Sequence, residues 1–508
     1  MRRALAQFFA RLSVQTIDIV LCGIAILIGL RFTLAVFLPL SFDEAYYWLW
    51  SKHLSSGYFE HPAGIAFAIR AGTFLFGDTE FGVRFVPLLA SVIASWAVWR
   101  SAAVILSDQT AGAIACLFFN LTLMVAVEGM GATPDSLLIA AAAILLWTIA
   151  ELERAQDGRW WLAIGMAAGT AVAAKYTGFF LFGSLALWLV GGARNRRSGA
   201  GKAWLRTIWP YIGAAVALAM FTPTLYWNAV HGFISFRFQA GRAVAGHPDV
   251  RGLLEYLGSQ IGLSSPGVMA LAVMASYGIA RSDKTKRSLY FVCIVLWLPL
   301  IYFALHSLHD RVQGNWPCFA YPALAIMAAK GFTEIPAAFK LSRTALLVRT
   351  VTIPVAAIFL AVSYGQAFFG IIPIGRSDPI ARVTGVGFRS VAEEIAAYAG
   401  KARARAIVTT NYPVTAWLRF YERSRTPIVQ IADDSRFLSS PRATKGVLAG
   451  DLLYVTQHPR RELPVVLAHF SIAIFSGVVI RSRNGHPVDE FDIFTVKGFH
   501  GAPLGRLP

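Results

Sequence analysis

Apolar runs long enough to cross a bilayer recur along the first three quarters of this chain, and no other feature constrains its fold as strongly. About 20 residues suffice for a helix to span the hydrocarbon core. Such runs lie near 17–38, 82–106, 110–127, 136–150, 160–175, 177–193, 207–223, 267–281, 288–305, 317–331 and 350–371. The third, fifth and sixth are short, and two short runs can be one bent helix. Of the 508 residues 56% are hydrophobic and only 15% charged, too little polar surface for a soluble protein of this size. The first run follows MRRALAQFFARLS, basic residues ahead of an apolar stretch, as in a signal peptide. No small-residue cleavage site follows, so 17–38 is expected to be a retained first span.

The formal charge of +18 raises the question of nucleic acid. That class is rejected, because Arg and Lys cluster between apolar runs and do not form one basic-aromatic surface. Their placement orients the chain instead. With the N-terminus cytoplasmic, Arg2, Arg3 and Arg11, then Arg154 and Arg159, then Arg194 to Arg206 fall inside. Arg281 to Arg287 and Lys330 to Arg349 fall on that side too. The positive-inside bias therefore fits about eleven spans, with everything after 372 outside. The stretch 192–202, GGARNRRSGAG, reads as a flexible cytoplasmic loop. Cys22, Cys116, Cys293 and Cys318 lie in or beside apolar runs without metal-like spacing, as buried free thiols do.

From about Gly375 the composition becomes ordinary and the pattern alternates: helix near 388–399, strand near 405–410, helix near 412–421, strand near 427–431. Strands near 451–456, 470–480 and 490–497 follow. The expected organisation is an all-α polytopic membrane core, 1–372, with a first outer loop at 39–81, and a small α/β domain, 373–508. The latter has no glycine-rich phosphate loop and no nucleophile elbow, so the sequence assigns it no chemistry.

The first outer loop is the richest in candidate chemistry. Ser41-Phe42-Asp43-Glu44-Ala45-Tyr46-Tyr47-Trp48 follows the first run directly. One reading is a helix start, with Ser41 as cap and the carboxylates favoured by the helix dipole. The other is a carboxylate at the water–lipid boundary that takes a proton from an acceptor. Adjacent helical positions diverge by about 100°, so one of the pair lines a site, and Asp43 is favoured over Glu44. Further on, Gly57-Tyr58-Phe59-Glu60-His61-Pro62 is either a solvated turn or a place where His61 meets a leaving phosphate and Glu60 orients it.

Other outer segments add polar groups. Asp135, in Thr133-Pro134-Asp135, is a helix cap or a site residue. Lys175, in Lys175-Tyr176-Thr177-Gly178, puts an ammonium at membrane depth, where snorkelling competes with a functional partner. Asn228, Arg237 and Arg242 offer an amide and two cations to a sugar and a phosphate. Asn315 and Trp316, in Gln313-Gly314-Asn315-Trp316-Pro317, follow His306, His309, Asp310 and Arg311 in a last polar cluster.

Taken together, Asp43 to Trp50, Gly57 to Pro62, Thr133 to Leu138, Lys175 to Gly178, Trp227 to Gly232 and Gln313 to Pro317 resemble blocks of a known group, in the expected order. The group is the bacterial members of the dolichyl-phosphate-mannose–protein mannosyltransferase superfamily, which includes the lipid A aminoarabinose transferases. Asn411-Tyr412-Pro413 to Phe420-Tyr421 resembles it more weakly. The resemblance implies a GT-C fold, a location in the bacterial inner membrane and a polyprenyl-phosphate-linked sugar donor, with inversion at the anomeric carbon. Asp43 matches the group's first-loop carboxylate. Glu60 and His61 stand where the aminoarabinose transferases have Glu-Lys, so this chain departs from that subgroup at His61.

The expected function is sugar transfer from the polyprenyl-phosphate carrier to lipid A, another glycan or a protein on the periplasmic face. Asp43 acts as base or acceptor-positioning carboxylate; Tyr58, Asp135, Lys175, Asn228, Arg237, Arg242, Asn315 and Trp316 bind substrate. Expected partners are the donor, a lipid or glycan acceptor and membrane lipids, and nothing sets an oligomeric state. No cofactor is firmly expected; a divalent metal bridging phosphate and carboxylates stays open, without supporting ligand spacing. The alternative is a flippase of lipid-linked sugar, for which charges near the midplane and broken paired helices are expected.

Overall fold

In a computed structural model of the chain, residues 2–508 are described except 192–202, 245–249, 283–285, 335–341, 423, 425, 458–463, 465–467 and 502–504. The loop expected at 192–202 therefore lies outside the described residues. Within the described residues each of the eleven apolar runs is largely helical. Among the described residues five helices are long and apolar enough to cross a membrane: Ile17–Phe37, Glu80–Leu106, Pro134–Ala155, Arg287–His306 and Arg343–Phe369. A sixth arises if Val250–Ser264 and Pro266–Ala280, bent by 99° at their junction, are one span. The bend sits where Ser265 adopts φ +68° ahead of Pro266, a backbone that neither helix can continue through.

The remaining runs are shorter helices, and their breaks have local causes. Run 110–127 divides into Gln109–Leu121 and Leu123–Glu128 at Thr122, whose extended backbone lets its hydroxyl cap the second piece at Val125 N. Runs 160–175 and 177–193 end and begin around Lys175, which leaves the helical region (φ −151°, ψ 143°) between Trp160–Ala174 and Phe179–Val190. Small residues set how closely helices approach. A Cβ on Gly165 would lie 2.2 Å from the carbonyl oxygen of Gly213, so Trp160–Ala174 packs against Trp209–Val230 backbone to backbone.

Two compact units are distinguished. The first contains 1–33, 61–65 and 86–362; its core is an apolar cluster built from Ala97, Phe118, Leu145, Ile164, Trp188, Phe291, Leu324 and their neighbours, all buried. The second contains 34–60, 66–85 and 363–508. It carries a five-stranded sheet of order β2-β1-β3-β5-β4, formed by β1 (Ile407–Thr409), β2 (Ile428–Gln430), β3 (Leu452–Gln457), β4 (Phe470–Arg483) and β5 (His486–Phe499). β1 is parallel to β2 and β3, and β5 is antiparallel to β3 and β4.

The first-loop helix Phe42–Lys52 packs on the helix Tyr412–Tyr421 within this unit. Phe42 meets Tyr412 and Trp417 edge to face at 5.9 and 5.8 Å. Leu40 donates its N–H to the Tyr421 hydroxyl (2.8 Å) and accepts from Trp417 Nε1 (3.0 Å) and Gly385 N (2.8 Å). The entry into the loop is thus tied to the sheet-bearing segment by three hydrogen bonds.

Candidate functional site

The helix Phe42–Lys52 begins with a capping box. Ser41 Oγ accepts from Glu44 N (3.2 Å), and Glu44 Oε2 accepts from Ser41 N (2.8 Å). Glu44 is 3% exposed and also accepts from Arg84 Nε and Nη2, at 2.6 and 2.7 Å. Arg84 donates further to the carbonyls of Ala35, Leu38 and Pro39. Glu44 therefore anchors the turn between the first helix and the loop. Asp43, one position earlier and half-buried, accepts from the Tyr412 hydroxyl at 3.3 Å.

Glu60 lies in the same unit. Its Oε1 is 2.5 Å from Arg436 Nη1, while Arg436 Nε binds Asp433 at 2.8 Å and the guanidinium lies 4.3 Å over the Tyr412 ring. Tyr46, fully buried, donates to the Arg436 carbonyl at 3.0 Å. The electrostatics keep each group in role. Burial, then the negative charges of Asp43 and Glu60, push the Tyr412 phenol up, so it stays a donor. Burial likewise raises Tyr46, with Glu60 adding to it. For Arg436 burial opposes the charge, but Glu60, Tyr46 and Asp433 outweigh it and hold the cation. Tyr58 is 2% exposed and stacks on Trp50 at 4.2 Å, its hydroxyl reaching the backbone of Ser55, Trp50 and His53. It is a staple of the loop in this arrangement.

The other expected residues belong to the first unit. Asp135 does not cap its helix: the cap position is Thr133, whose side chain makes no capping bond. Instead Asp135, 3% exposed, accepts from Lys175 Nζ (2.7 and 2.9 Å), Asn315 Nδ2 (3.1 Å) and the Cys318 thiol (2.9 Å). Lys175 does not snorkel; its side chain is 10% exposed and its ammonium is closed onto that carboxylate. Asn228 is buried and donates to the Tyr176 hydroxyl (3.2 Å) and the Thr224 carbonyl (3.0 Å). Its Oδ1 has no protein partner among the described residues. Arg242 lies 4.6 Å over the Trp316 ring, Arg237 is exposed, and His61 is half-buried. No group of three or more His, Cys, Asp or Glu side chains able to hold a metal occurs among the described residues.

Sequence reasoning missed Tyr412, Arg436, Arg84 and Cys318. Tyr412 stood in a segment noted only for its weaker resemblance. Arg436, in Asp433-Asp434-Ser435-Arg436, gave no signal, since only tertiary packing brings it to Glu60.

Known proteins share this architecture. The sequence profile of the dolichyl-phosphate-mannose-protein mannosyltransferases matches residues 60–227. Lipid A galacturonosyltransferase RgtD of Rhizobium johnstonii is 28% identical over 415 residues, 78% of this chain and 82% of that protein. The crystal structure of ArnT from Cupriavidus metallidurans bound to undecaprenyl phosphate superposes with a TM-score of 0.61 at 16% identity, covering 96% of this chain and 98% of that one. Its apo form gives the same values. The chain thus shares the fold of ArnT and is similar in sequence to a lipid A galacturonosyltransferase and, over residues 60–227, to the dolichyl-phosphate-mannose-protein mannosyltransferases.

Proposed function

We propose that the chain transfers a sugar from a polyprenyl-phosphate carrier to lipid A or a related envelope acceptor on the periplasmic face of the inner membrane. The observation that carries this reading is Asp43: a half-buried carboxylate on a capped helix, held by a phenolic donor 3.3 Å away. In the reaction the acceptor hydroxyl attacks the anomeric carbon and its proton passes to Asp43. The bond from that carbon to the phosphate oxygen breaks with inversion, and the polyprenyl phosphate leaves with the negative charge. Arg237, Arg242 and His61 are the groups we assign to that phosphate, whose charge grows in the transition state. Glu44 shapes the loop, and Lys175 fixes Asp135.

The orientation follows the positive-inside bias: N-terminus cytoplasmic, segment 373–508 periplasmic, and eleven spans when the shorter apolar helices are counted with the long ones. Reconstitution tests the reading. Purified protein in nanodiscs is given lipid A with undecaprenyl-phosphate-linked galacturonic acid or aminoarabinose, and the products are weighed by mass spectrometry. A sugar mass added to lipid A is the expected result. Carrier crossing the bilayer with no sugar transferred would establish the flippase instead.

A further inference from the structure

Two side chains of the sheet-bearing segment 363–508, the Tyr412 phenol already named and Arg436, end on first-loop carboxylates. Tyr412 donates to Asp43 at 3.3 Å, and Arg436 pairs with Glu60 at 2.5 Å across 376 residues of sequence. The two are not independent. The Arg436 guanidinium lies over the Tyr412 ring at 4.3 Å, so Asp43, Tyr412, Arg436 and Glu60 form one connected chain of contacts.

We propose that Tyr412 and Arg436 are positioning residues of the transfer reaction, fixing Asp43 and Glu60 in the geometry that the chemistry needs. The proposal rests on the glycosyltransfer reading above.

The surroundings immobilise both groups before substrate arrives. Arg436 is gripped at Nε by Asp433 (2.8 Å) and at its own carbonyl by the Tyr46 hydroxyl (3.0 Å). Tyr46 in turn packs against Trp50, Tyr412 and Phe437 at ring distances of 5.0, 5.2 and 5.6 Å. A long cation held this way has already lost its rotamer freedom, so ordering Glu60 costs little further entropy at the moment of reaction. Tyr412 begins its helix directly after Asn411, whose side chain caps Val414 N, and Pro413 stands in the first turn. The phenol therefore projects from a fixed helix start. A pair serving stability alone needs no bond to a second carboxylate. Here the arginine stacks on the very ring whose hydroxyl reaches Asp43.

The test uses full-length protein in nanodiscs with lipid A and whichever undecaprenyl-phosphate-linked sugar the wild type accepts. Arg436→Met, Arg436→Lys, Tyr412→Phe, Glu60→Gln and the double variant Glu60→Gln/Arg436→Met are compared by kcat, donor KM and thermal unfolding. Misplacing a catalytic group by about 1 Å can cost on the order of 100-fold, so kcat of Arg436→Met is expected to fall roughly 10- to 100-fold. Donor KM is expected to stay within about threefold, because ground-state binding is untouched. Arg436→Lys recovers part of kcat, and the double variant is no slower than the slower single one, because the pair acts as a unit. Losses that multiply in the double variant, or a kcat of Arg436→Met within about twofold of wild type, would overturn the proposal. If Arg436→Met does not fold, Arg436→Lys and Tyr412→Phe decide, since each keeps most of the packing; wild-type kcat in both overturns it. A wild-type protein that transfers no sugar overturns this inference together with the function, whereas transfer unaffected by these variants overturns this inference alone.

Discussion

Two carboxylates of this chain, Asp43 and Asp135, look alike in sequence: each stands in the first turn of a helix, each near polar neighbours. They differ in how far the fold closes over them. Asp135 is 3% exposed and closed by an ammonium, an amide and a thiol. Asp43 is half-buried and accepts from the Tyr412 hydroxyl at 3.3 Å. A buried carboxylate clasped by a cation is occupied, a structural part whose removal leaves an uncompensated charge. A carboxylate at partial exposure is within reach of an incoming acceptor and its proton. Glu44 extends the lesson, since its position next to Asp43 did not prevent a buried Arg84 from taking both its oxygens.

The largest expected effect would break the contrast if it failed. Asp43→Asn should reduce transfer about 100- to 10,000-fold, the range of a lost general base, while thermal unfolding matches wild type. Wild-type rates in that variant would move the base elsewhere. Next, Lys175→Ala should act on stability: removing one partner of a buried pair costs about 3–5 kcal/mol, read as a lowered unfolding temperature in detergent. Replacing both partners, Asp135→Leu with Lys175→Met, should recover much of that loss, for two apolar groups leave no orphaned charge. A double variant as unstable as the single would show that Asn315 and Cys318 need the carboxylate on their own account.

A smaller effect sharpens the role of the capped helix. Ser41→Ala removes one half of the capping box and should cost about 1 kcal/mol, with transfer reduced only as far as Asp43 loses its fixed start. The smallest prediction concerns the neighbours of Arg436. Asp434 is held below the usual carboxylate range, first by its bond to Arg506, so its contribution is present at neutral pH and lost as pH falls through its folded pKa. Asp433 is raised, first by burial against the pull of Arg436, so its sign is opposite: what it contributes is present at low pH and declines as pH rises. Comparing Asp434→Asn and Asp433→Asn by thermal unfolding between neutral and acidic pH should give slopes of opposite sign. Both sites are partly exposed, so each effect should remain under about 1 kcal/mol. Equal slopes would mean that the two aspartates share one environment.

Much of this was legible in the sequence because it depends on local pattern. The apolar runs gave the helices, Ser41 and Glu44 spelled a capping box three residues apart, and the period-two stretches after 450 gave β3, β4 and β5. The motif blocks named the relatives. What the sequence did not carry was pairing over distance. Lys175 had two open readings, and only folding closed it on Asp135, 40 residues away. Arg436 reaches Glu60 across 376 residues, and no periodicity or spacing marks such a partner. Helix formation and capping are decided by bonds within a few residues, so one segment suffices to foresee them. Which charge neutralises which is decided by desolvation inside the finished fold, and that exists only once the segments have met.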